Sequence, residues 1–397
     1  MEKPENSKKY MLRAIELAKK GEGHTNPNPL VGAVIVKDGK IIGEGYHHIY
    51  GSLHAEREAL KDCREKGNNP EGATIFVTLE PCCHQGKQPP CTHALVEAKL
   101  SHVVVGSRDP NPLVHGKGNE YLRQNGIKVT EDFLRDECDE LNPVFFHYIT
   151  TKLPFVCMKY AMTLDGKIAT KSGASKWISN ERSREFGHVL RNRYSAILAG
   201  IGTVLSDDPL LNCRLSDEAV QKFGLSHSLP VRNPVRVICD SDLRLPLDSR
   251  IVQTAKEIQT IVACAEKNRS EAEKALFEEK KSALEKEGVE IVELLRPSSQ
   301  NESASQSRGI NLKSLMKVLG EKSIDSVLIE GGAEINYAAL KSGIVNKLYA
   351  FVAPKIFGGK AKAPVEGEGV KLPEEAFQFK LERITDFDGD LLLEYTN

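Results

Sequence analysis

A chain of 397 residues is long enough for two or three domains, each with a hydrophobic core of its own. Its 54 Lys and Arg side chains nearly balance its 55 Asp and Glu side chains, so no overall charge favours nucleic acid or a membrane surface. Nine irregularly spaced cysteines, with no apolar leader and no apolar run of membrane-spanning length, lead us to expect a cytoplasmic protein without a membrane partner.

The first elements follow from hydrophobic periodicity. Apolar residues at i, i+3, i+4 and i+7 predict an amphipathic helix from Lys8 to Lys20. The run from Val31 to Val36 predicts a buried strand, and Asp38-Gly39 closes a hairpin into a second strand that ends at Tyr46.

Strands and helices then alternate. The segments 73–79, 102–106 and 127–129 are short and rich in Val and Ile, which is typical of strands. Good helix formers follow His54 and Cys91. This alternation predicts an α/β sheet with helices on both faces, and it places the starts of both helices at the carboxyl ends of strands.

Four residues near those helix starts have the chemistry of a zinc hydrolase. A catalytic zinc ion takes three protein ligands and keeps a fourth position open, and His54, Cys82 and Cys91 would supply the three. Glu56, two residues after His54, suits a proton shuttle better than a ligand. Nucleobase deaminases use this combination of residues.

Some alternatives remain at this point. Eight residues separate Cys82 from Cys91, whereas the general deaminase signature has two, and His84 competes with Cys91 for the third position. Cys83 is a poor partner for Cys82 because neighbouring side chains diverge. The cysteines would otherwise be ordinary buried thiols.

The segment from Asn142 to Pro154 is the predicted junction with a second α/β domain. Short β-branched runs predict its strands at 155–159, 195–200, 235–239, 260–263 and 326–329. The stretch from Glu266 to Glu287 predicts a solvated helix whose apolar face consists of Ala272, Ala275, Leu276, Ala283 and Leu284. Residues 296–308, rich in Ser, Gln and Asn, predict a flexible surface loop.

Two glycine motifs suit phosphate binding in this second domain. Gly200-Ile201-Gly202 resembles a dinucleotide fingerprint without its third small residue. Gly331-Gly332 lies between a predicted strand and a predicted helix, where backbone N–H groups at the helix N-terminus bind a pyrophosphate. A tight turn explains the same pattern.

The motifs together carry a resemblance to a known family. The segments concerned are 25–35, His54-Ala55-Glu56, 80–91, 159–167, 175–179, 202–209 and Glu330-Gly331-Gly332. They resemble the bifunctional deaminase/reductase family of riboflavin biosynthesis, in which eight residues separate the two cysteines. The resemblance implies a cytidine-deaminase-like three-layer domain over residues 1–150 and a dihydrofolate-reductase-like α/β domain over 151–397.

The resemblance also implies the chemistry and the ligands. Zinc and Glu56 would deaminate a phosphorylated diaminopyrimidinone, and NADPH would then reduce its ribosyl group. The implied NADPH contacts are Ala161, Trp177, Thr203, Asp207, Ser241, Gly332, Ala333, Glu334, Ile335, Asn336, Tyr337 and Ala338. The implied substrate contacts are Asn28, Ser175, Arg191, Leu211, Arg214 and Glu330.

Two of these substrate contacts, and a catalytic candidate at Lys159, have a physical rationale and also a simpler explanation. Arg191 and Arg214 suit a sugar phosphate because guanidinium groups bind phosphate with two hydrogen bonds, although either alone would be an ordinary surface charge. Lys159 would polarise or protonate the sugar in catalysis, or would be a solvated lysine at a strand end.

Two rival functions follow from the same motifs. A nucleic-acid base deaminase with an accessory nucleotide-binding domain would need a basic groove and stacking aromatic residues. Neutral charge and 6% aromatic residues disfavour it. A non-catalytic interaction protein is disfavoured by the intact motifs. We therefore expect a homo-oligomeric enzyme that acts on a small molecule and binds no nucleic acid.

Overall fold

A computed structural model of the chain describes residues 4–85, 88–111, 114–225, 229–295 and 309–397, with side chains from residue 7 onwards. The loop predicted at 296–308 lies outside the described residues. The chain divides into two compact units. Unit one is Met1–Lys152 with Asp217–Pro230, and unit two is Leu153–Ser216 with Val231–Asn397. Among the described residues, no helix combines the length and the apolarity that crossing a membrane requires.

Unit one contains a five-stranded sheet. Its elements, labelled in chain order over the whole protein, are α1 (Pro4–Lys19), β1 (Gly32–Lys37), β2 (Lys40–Tyr46), α2 (Ala55–Glu65), β3 (Thr74–Leu79), α3 (Cys91–Glu97), β4 (His102–Ser107), α4 (Lys117–Gln124), β5 (Lys128–Thr130), α5 (Arg135–Asp139), α6 (Pro143–Thr151) and α9 (Asp217–Lys222). The strand order is β2-β1-β3-β4-β5. The segment predicted as a junction thus contains a nine-residue helix, α6.

The three-layer arrangement of unit one is confirmed. One core lies between the sheet and α2, α3 and α4, and a second core lies between the other face and α1. The strand β1 is antiparallel to both β2 and β3, so β2 runs parallel to β3. The carboxyl ends of β2 and β3 therefore share one edge of the sheet, and α2 and α3 begin beyond that edge.

Two glycines of β2 allow α2 to lie against the strand. Gly43 and Gly45 are two residues apart and face the same side of the sheet. A Cβ at Gly45 would be 2.3 Å from the backbone nitrogen of Ala59 and 2.6 Å from the carbonyl oxygen of Ala55. The absence of both side chains therefore sets the distance between the sheet and the helix that carries Glu56.

Unit two contains a nine-stranded sheet. Its elements are β6 (Phe155–Thr163), α7 (Glu181–Arg193), β7 (Ala196–Gly200), α8 (Ile201–Asp207), β8 (Val235–Cys239), α10 (Arg250–Gln253), β9 (Thr260–Ala265), α11 (Glu271–Lys286), β10 (Val289–Leu294), α12 (Leu312–Glu321), β11 (Ser326–Ile329), α13 (Ala333–Lys341), β12 (Val345–Ala353), β13 (Lys380–Phe387) and β14 (Asp390–Thr396). The strand order is β10-β9-β8-β7-β11-β6-β12-β14-β13. The five predicted strands are present at β6, β7, β8, β9 and β11, and β10, β12, β13 and β14 were not predicted.

The central strands of unit two form a parallel block. The pairs β8–β7, β7–β11, β11–β6 and β6–β12 are all parallel, and only β14 and β13 are antiparallel to their neighbours. Buried residues of these strands pack against α12 and α13 on one face and against α8, α10 and α11 on the other. The carboxyl ends of β7, β11 and β6 therefore lie side by side at one edge.

The predicted apolar face of the charged helix is right at Leu284 and wrong at Ala275 and Leu276. The helix itself exists as α11, but Leu276 is 67% exposed and Ala275 is also exposed. Phe277 and Leu284, seven residues and two turns apart, are the buried pair. The guanidinium of Arg269 lies 3.7 Å from the centre of the Phe277 ring, so the aromatic residue faces inwards beneath a cation.

The substitution Gly45→Ala should destabilise unit one by about 1–3 kcal/mol, because the new methyl group overlaps the backbone of α2. Urea unfolding of the full chain measures this loss. Gly202→Ala is the matched control, since nothing lies within 4 Å of that position and it is helical. Equal stability of the two variants would contradict the close packing of β2 and α2.

Candidate active sites

Three soft ligand atoms converge in unit one. The Nδ1 atom of His54 lies 3.5 Å from the Sγ atom of Cys82 and 3.4 Å from that of Cys91. Among the described residues these three form the one group of ligand atoms that could hold a metal ion, all within 4.8 Å of one another. Neither Cys83 nor His84 belongs to the group. The backbone nitrogen of Cys91 also donates a hydrogen bond to Cys82 Sγ, at 3.3 Å.

The sequence around each ligand explains its position. His54 is the residue at the N-terminal end of α2, in an extended conformation with φ −76° and ψ 162°. Cys91 is the first residue of α3, directly after Pro90. Cys82 lies three residues beyond the end of β3. Thus helix starts and a strand end, all at one edge of the sheet, bring together residues far apart in sequence.

Glu56 lies in the first turn of α2 beside this cluster and is 3% exposed. Burial raises the pKa of its carboxyl group, and the nearby Cys82 adds to the increase. Glu56 also lines a cavity together with Asn28, His47 and Asp109. His54 and Cys82 line the same cavity, so a small ligand in it lies beside both the carboxylate and the cluster.

His47 is a member of this site that sequence reasoning missed. Its Nδ1 atom lies 3.0 Å from the carbonyl oxygen of Leu53, which can only accept, so Nδ1 carries the proton. Its Nε2 atom then accepts from the side-chain nitrogen of Asn28, at 3.2 Å. Burial lowers the pKa of His47 to about 4, so the ring is neutral at pH 7 and fixes the orientation of the Asn28 amide.

Glu80 is a second residue of this site whose role the sequence did not predict, although it lies in the segment 80–91. Its buried carboxylate accepts hydrogen bonds from the backbone nitrogens of Gly116 (3.0 Å), Gly118 (3.1 Å) and Asn119 (3.4 Å). It precedes Pro81 and Cys82, so it ties the cysteine loop to the start of α4. No local motif marks this contact, because its partners are more than thirty residues away.

In unit two, charged side chains meet at the carboxyl edge of the parallel block. Arg191 of α7 binds Glu330, the residue after β11, through Nε–Oε1 at 2.6 Å and Nη2–Oε2 at 2.8 Å. This pair is nearly buried, with side-chain exposures of 16% and 9%. Burial raises the pKa of the Glu330 carboxyl group, but the Arg191 guanidinium outweighs this effect and the pKa falls to about 2.

Lys159 of β6 lies near the same pair. A Cβ at Gly187 of α7 would be 3.8 Å from its Nζ atom, so the ammonium group lies against that helix. Burial lowers the pKa of Lys159, while Glu330 opposes the shift and Arg191 reinforces it. The structure therefore brings together the predicted catalytic lysine and two of the predicted substrate contacts.

The double-glycine turn lies beside this cluster. Gly331 and Gly332 have φ values of 129° and 84°, which favour glycine, and α13 begins directly after them. A Cβ at Gly331 would be 3.3 Å from Thr203 Oγ1 of α8. Ile335 packs against Gly200, the last residue of β7. The two glycine motifs of the sequence, at Gly200 and at Gly331-Gly332, therefore lie next to each other in the fold.

The other predicted cofactor residues lie in more varied positions. Ala161 is in β6, Asp207 ends α8, and Ser241 follows β8 by two residues. Trp177 is 62% exposed, with the Arg184 guanidinium 4.6 Å from its ring centre. Asn336 is buried and donates to the Pro364 carbonyl (2.8 Å), and the Tyr337 hydroxyl donates to the Gly369 carbonyl (3.1 Å). Glu334 is exposed, whereas Ala333 and Ala338 are partly buried.

The remaining predicted substrate residues are Ser175, Leu211 and Arg214. Ser175 is exposed in the segment between β6 and α7. Leu211 is buried with φ 48°, and Arg214 is exposed and close enough to Arg191 and Glu330 for their charges to influence its pKa. Leu211 and Arg214 thus belong to one short segment beside α7.

Comparison with known proteins matches two family models to different parts of the chain. The family model described as the RibD C-terminal domain matches residues 154–393, and the cytidine and deoxycytidylate deaminase zinc-binding region matches residues 4–107. The riboflavin biosynthesis protein RibD of Actinobacillus pleuropneumoniae is 47% identical over 389 residues, covering 97% of this chain and 94% of the relative. That of Escherichia coli K12 is 37% identical over 385 residues, covering 97% of each chain.

Solved structures are similar over nearly the whole length. A diaminohydroxyphosphoribosylaminopyrimidine deaminase/5-amino-6-(5-phosphoribosylamino)uracil reductase from Thermotoga maritima has a TM-score of 0.80 and 38% identity, covering 99% of each chain. RibD of Acinetobacter baumannii has a TM-score of 0.82 and 35% identity, with the same coverage. The chain therefore belongs to the RibD family, the bifunctional deaminase/reductases of riboflavin biosynthesis.

Proposed function

We propose that residues 1–150 deaminate 2,5-diamino-6-(5-phosphoribosylamino)pyrimidin-4(3H)-one and that residues 151–397 reduce the ribosyl group of the resulting 5-amino-6-(5-phosphoribosylamino)uracil to ribityl. The observation that carries the proposal is the convergence of His54, Cys82 and Cys91 beside the buried Glu56. The deaminase and reductase activities of the Thermotoga maritima relative support these substrates.

We assign the metal in unit one as zinc, held by His54, Cys82 and Cys91. One imidazole and two thiol groups are typical zinc ligands, and a set of three leaves a position for water. When bound, the ion supplies Lewis acidity that activates water for attack on the amino-bearing C2 of the pyrimidinone. Glu56 accepts a proton from the attacking water and returns it to the departing amino group, which leaves as ammonia. Asn28, oriented by His47, binds the pyrimidinone.

We assign the cofactor of unit two as NADPH, with its phosphates at the double-glycine turn. Gly331 and Gly332 have no Cβ to block an approach to the backbone at the start of α13, a helix of nine residues. When bound, NADPH supplies hydride to C1′ of the sugar. Lys159 donates a proton to the sugar oxygen, and the lowered pKa of its buried ammonium group favours this donation.

The charges of unit two support a phosphorylated substrate. The cations Lys159, Arg191 and Arg214 lie near one carboxylate, Glu330, so the cluster has an excess of positive charge. A phosphate dianion would balance that excess. Over the whole chain, acidic and basic residues are nearly equal in number, which favours a small anionic substrate over nucleic acid.

We also propose that the enzyme is cytoplasmic and forms a homo-oligomer. All nine cysteines are free, as in proteins of a reducing compartment. The strand β13 is at the end of the nine-stranded sheet, with Leu381 and Ile384 exposed by 45% and 57%. An exposed apolar edge strand is a surface on which a second copy can pack.

Glu56→Gln should reduce ammonia release at least about 100-fold, because it removes the proton shuttle. Zinc content and the reduction of supplied deaminated substrate should stay unchanged. Ammonia release, nicotinamide absorbance and metal content are measured on the same preparation. Cys91→Ser is the matched control, since it should lose zinc as well as deamination. Deamination by Glu56→Gln at the normal rate would refute the assignment.

Glu330→Gln should lower the free energy of unfolding by about 3–5 kcal/mol, because it leaves the nearly buried Arg191 without its carboxylate. Glu271→Gln, in a surface pair whose carboxylate side chain is 91% exposed, should cost less than about 1 kcal/mol. Urea unfolding of both variants makes the comparison.

The stability from Glu330 should depend on pH. Its pKa falls from 4.5 to about 2 on folding, so the contribution is complete above pH 4.5 and is lost as the pH falls through 2. Glu330→Gln should therefore unfold with a weaker dependence on acid than the unchanged protein. The same acid dependence in both would contradict the ion pair.

Leu381→Glu combined with Ile384→Glu should convert the oligomer to a monomer, because it places two carboxylates on the exposed edge strand. Light scattering gives the mass in solution. Leu276→Glu, at a comparably exposed apolar position on α11, should leave the mass unchanged. A monomeric parent protein would refute the oligomer, and an oligomer unaffected by the double change would refute this surface.

A further inference from the structure

The segment Leu210–Arg214 in unit two is anchored by surrounding side chains along its length. The anchors are Arg236 Nη1 to the Leu210 carbonyl (3.3 Å), Arg191 Nη1 to the Asn212 carbonyl (3.0 Å), and the Cys213 backbone nitrogen to Asn233 Oδ1 (2.9 Å). These contacts hold the backbone in the strained form seen at Leu211, whose φ is 48°. The segment is therefore a preorganised support for the residue at its end, Arg214.

His188 of α7 is the anchor of Arg214 itself. Its Nδ1 atom accepts a hydrogen bond from the backbone nitrogen of Arg214, at 3.1 Å. Its own carbonyl oxygen accepts from Cys213 Sγ, also at 3.1 Å. His188 lies one turn before Arg191 on the same helix, so a single turn of α7 holds two parts of the segment.

The contact fixes the state of the imidazole. Because Nδ1 accepts from a backbone N–H group, it cannot carry a proton, and the ring proton is on Nε2. Burial lowers the pKa of His188 to about 4, and the neighbouring cations Arg191 and Arg214 contribute to the decrease. The ring is therefore a neutral acceptor at the pH of a cytoplasmic enzyme.

Arg214 is the more available of the two arginines. Arg191 already donates to both oxygens of Glu330 and to a carbonyl group, whereas Arg214 is exposed and its guanidinium hydrogen-bonds to the side chain of Asn212. An anion that enters this edge of the sheet therefore meets the guanidinium of Arg214 without breaking a buried ion pair. The position of the Arg214 guanidinium depends on where His188 holds the backbone of Arg214.

We propose that His188 is a positioning residue for the phosphate group of the reductase substrate, acting through Arg214. The Nδ1 acceptor holds the backbone of Arg214 against α7, and the guanidinium then points to the phosphate. This inference rests on the proposed reductase function of unit two. It concerns binding of the phosphate and not hydride transfer. Loss of the His188 contact should therefore raise KM and leave kcat unchanged.

The test compares His188→Asn with His188→Gln. The Asn amide oxygen takes the place of Nδ1 and keeps the acceptor, whereas the Gln amide lies near Nε2 and does not. His188→Gln should raise KM for the phosphorylated substrate roughly tenfold with kcat within about twofold, as for one lost hydrogen bond that supports a charged contact. His188→Asn should stay close to the parent protein. The dephosphorylated substrate should show no difference between the two variants.

A second comparison separates positioning from a general loss of structure. In an Arg214→Ala background there is no guanidinium to position, so His188→Gln should then have no further effect on KM. Additive effects, equal KM values for the Asn and Gln variants, or the same loss on both substrates would overturn the proposal. If the parent protein fails to reduce the substrate with NADPH, the proposed function fails instead. Low kcat in both His188 variants with unchanged KM also overturns it.

Discussion

Both candidate sites depend on one geometric constraint: strands of a sheet that run in the same direction end at the same edge. In unit one, the ends of β2 and β3 bring His54 within 3.5 Å of Cys82 and 3.4 Å of Cys91. In unit two, the ends of β7 and β11 bring Gly200 and Glu330 together. The reactive groups are far apart in sequence, and the direction of the strands is what makes them neighbours.

The sequence predicted the parts of the fold and of the site that depend on local patterns. Continuous apolar runs predicted the buried strands, and the residue types around His54 and Cys91 predicted the cluster of ligand atoms. The strand β12 was missed because Asn346 and Lys347 interrupt its apolar pattern. In the fold, Asn346 accepts a hydrogen bond from the backbone of Val156, a partner 190 residues away. No short window of sequence contains both Asn346 and Val156, so this hydrogen bond could not be predicted from a local pattern.

The site residues that the sequence did not predict were missed for the same reason, namely that their partners are distant in the chain or are backbone groups. His47 and His188 belong to no motif, and Glu80 lies in a motif that gives it no role. Each of the three acts through a backbone group that only the folded chain places nearby. The motif residues supply the reactive atoms, whereas these residues orient them. Chemistry was therefore easier to predict from sequence than the contacts that support it.

The buried arginines of unit two show how differently one side chain can be used. Arg236 is fully buried, and its partners are all neutral: the hydroxyls of Thr254 and Thr260 and three backbone carbonyl groups. Burial lowers its pKa to about 10, and the charge of Glu257 opposes this shift only in part. Arg191 has a carboxylate partner at the edge of the sheet. The guanidinium of Arg236 thus links segments of the core, whereas that of Arg191 belongs to a candidate binding site.

The path of the chain between the two units limits how the protein can be divided. Residues Asp217–Pro230 belong to unit one, although unit two precedes and follows them in sequence. The polypeptide therefore passes from one unit to the other three times, and no single cut separates them. A fragment that starts at Leu153 would carry Asp217–Pro230 without the rest of its unit, so cleavage at one peptide bond cannot yield two intact halves.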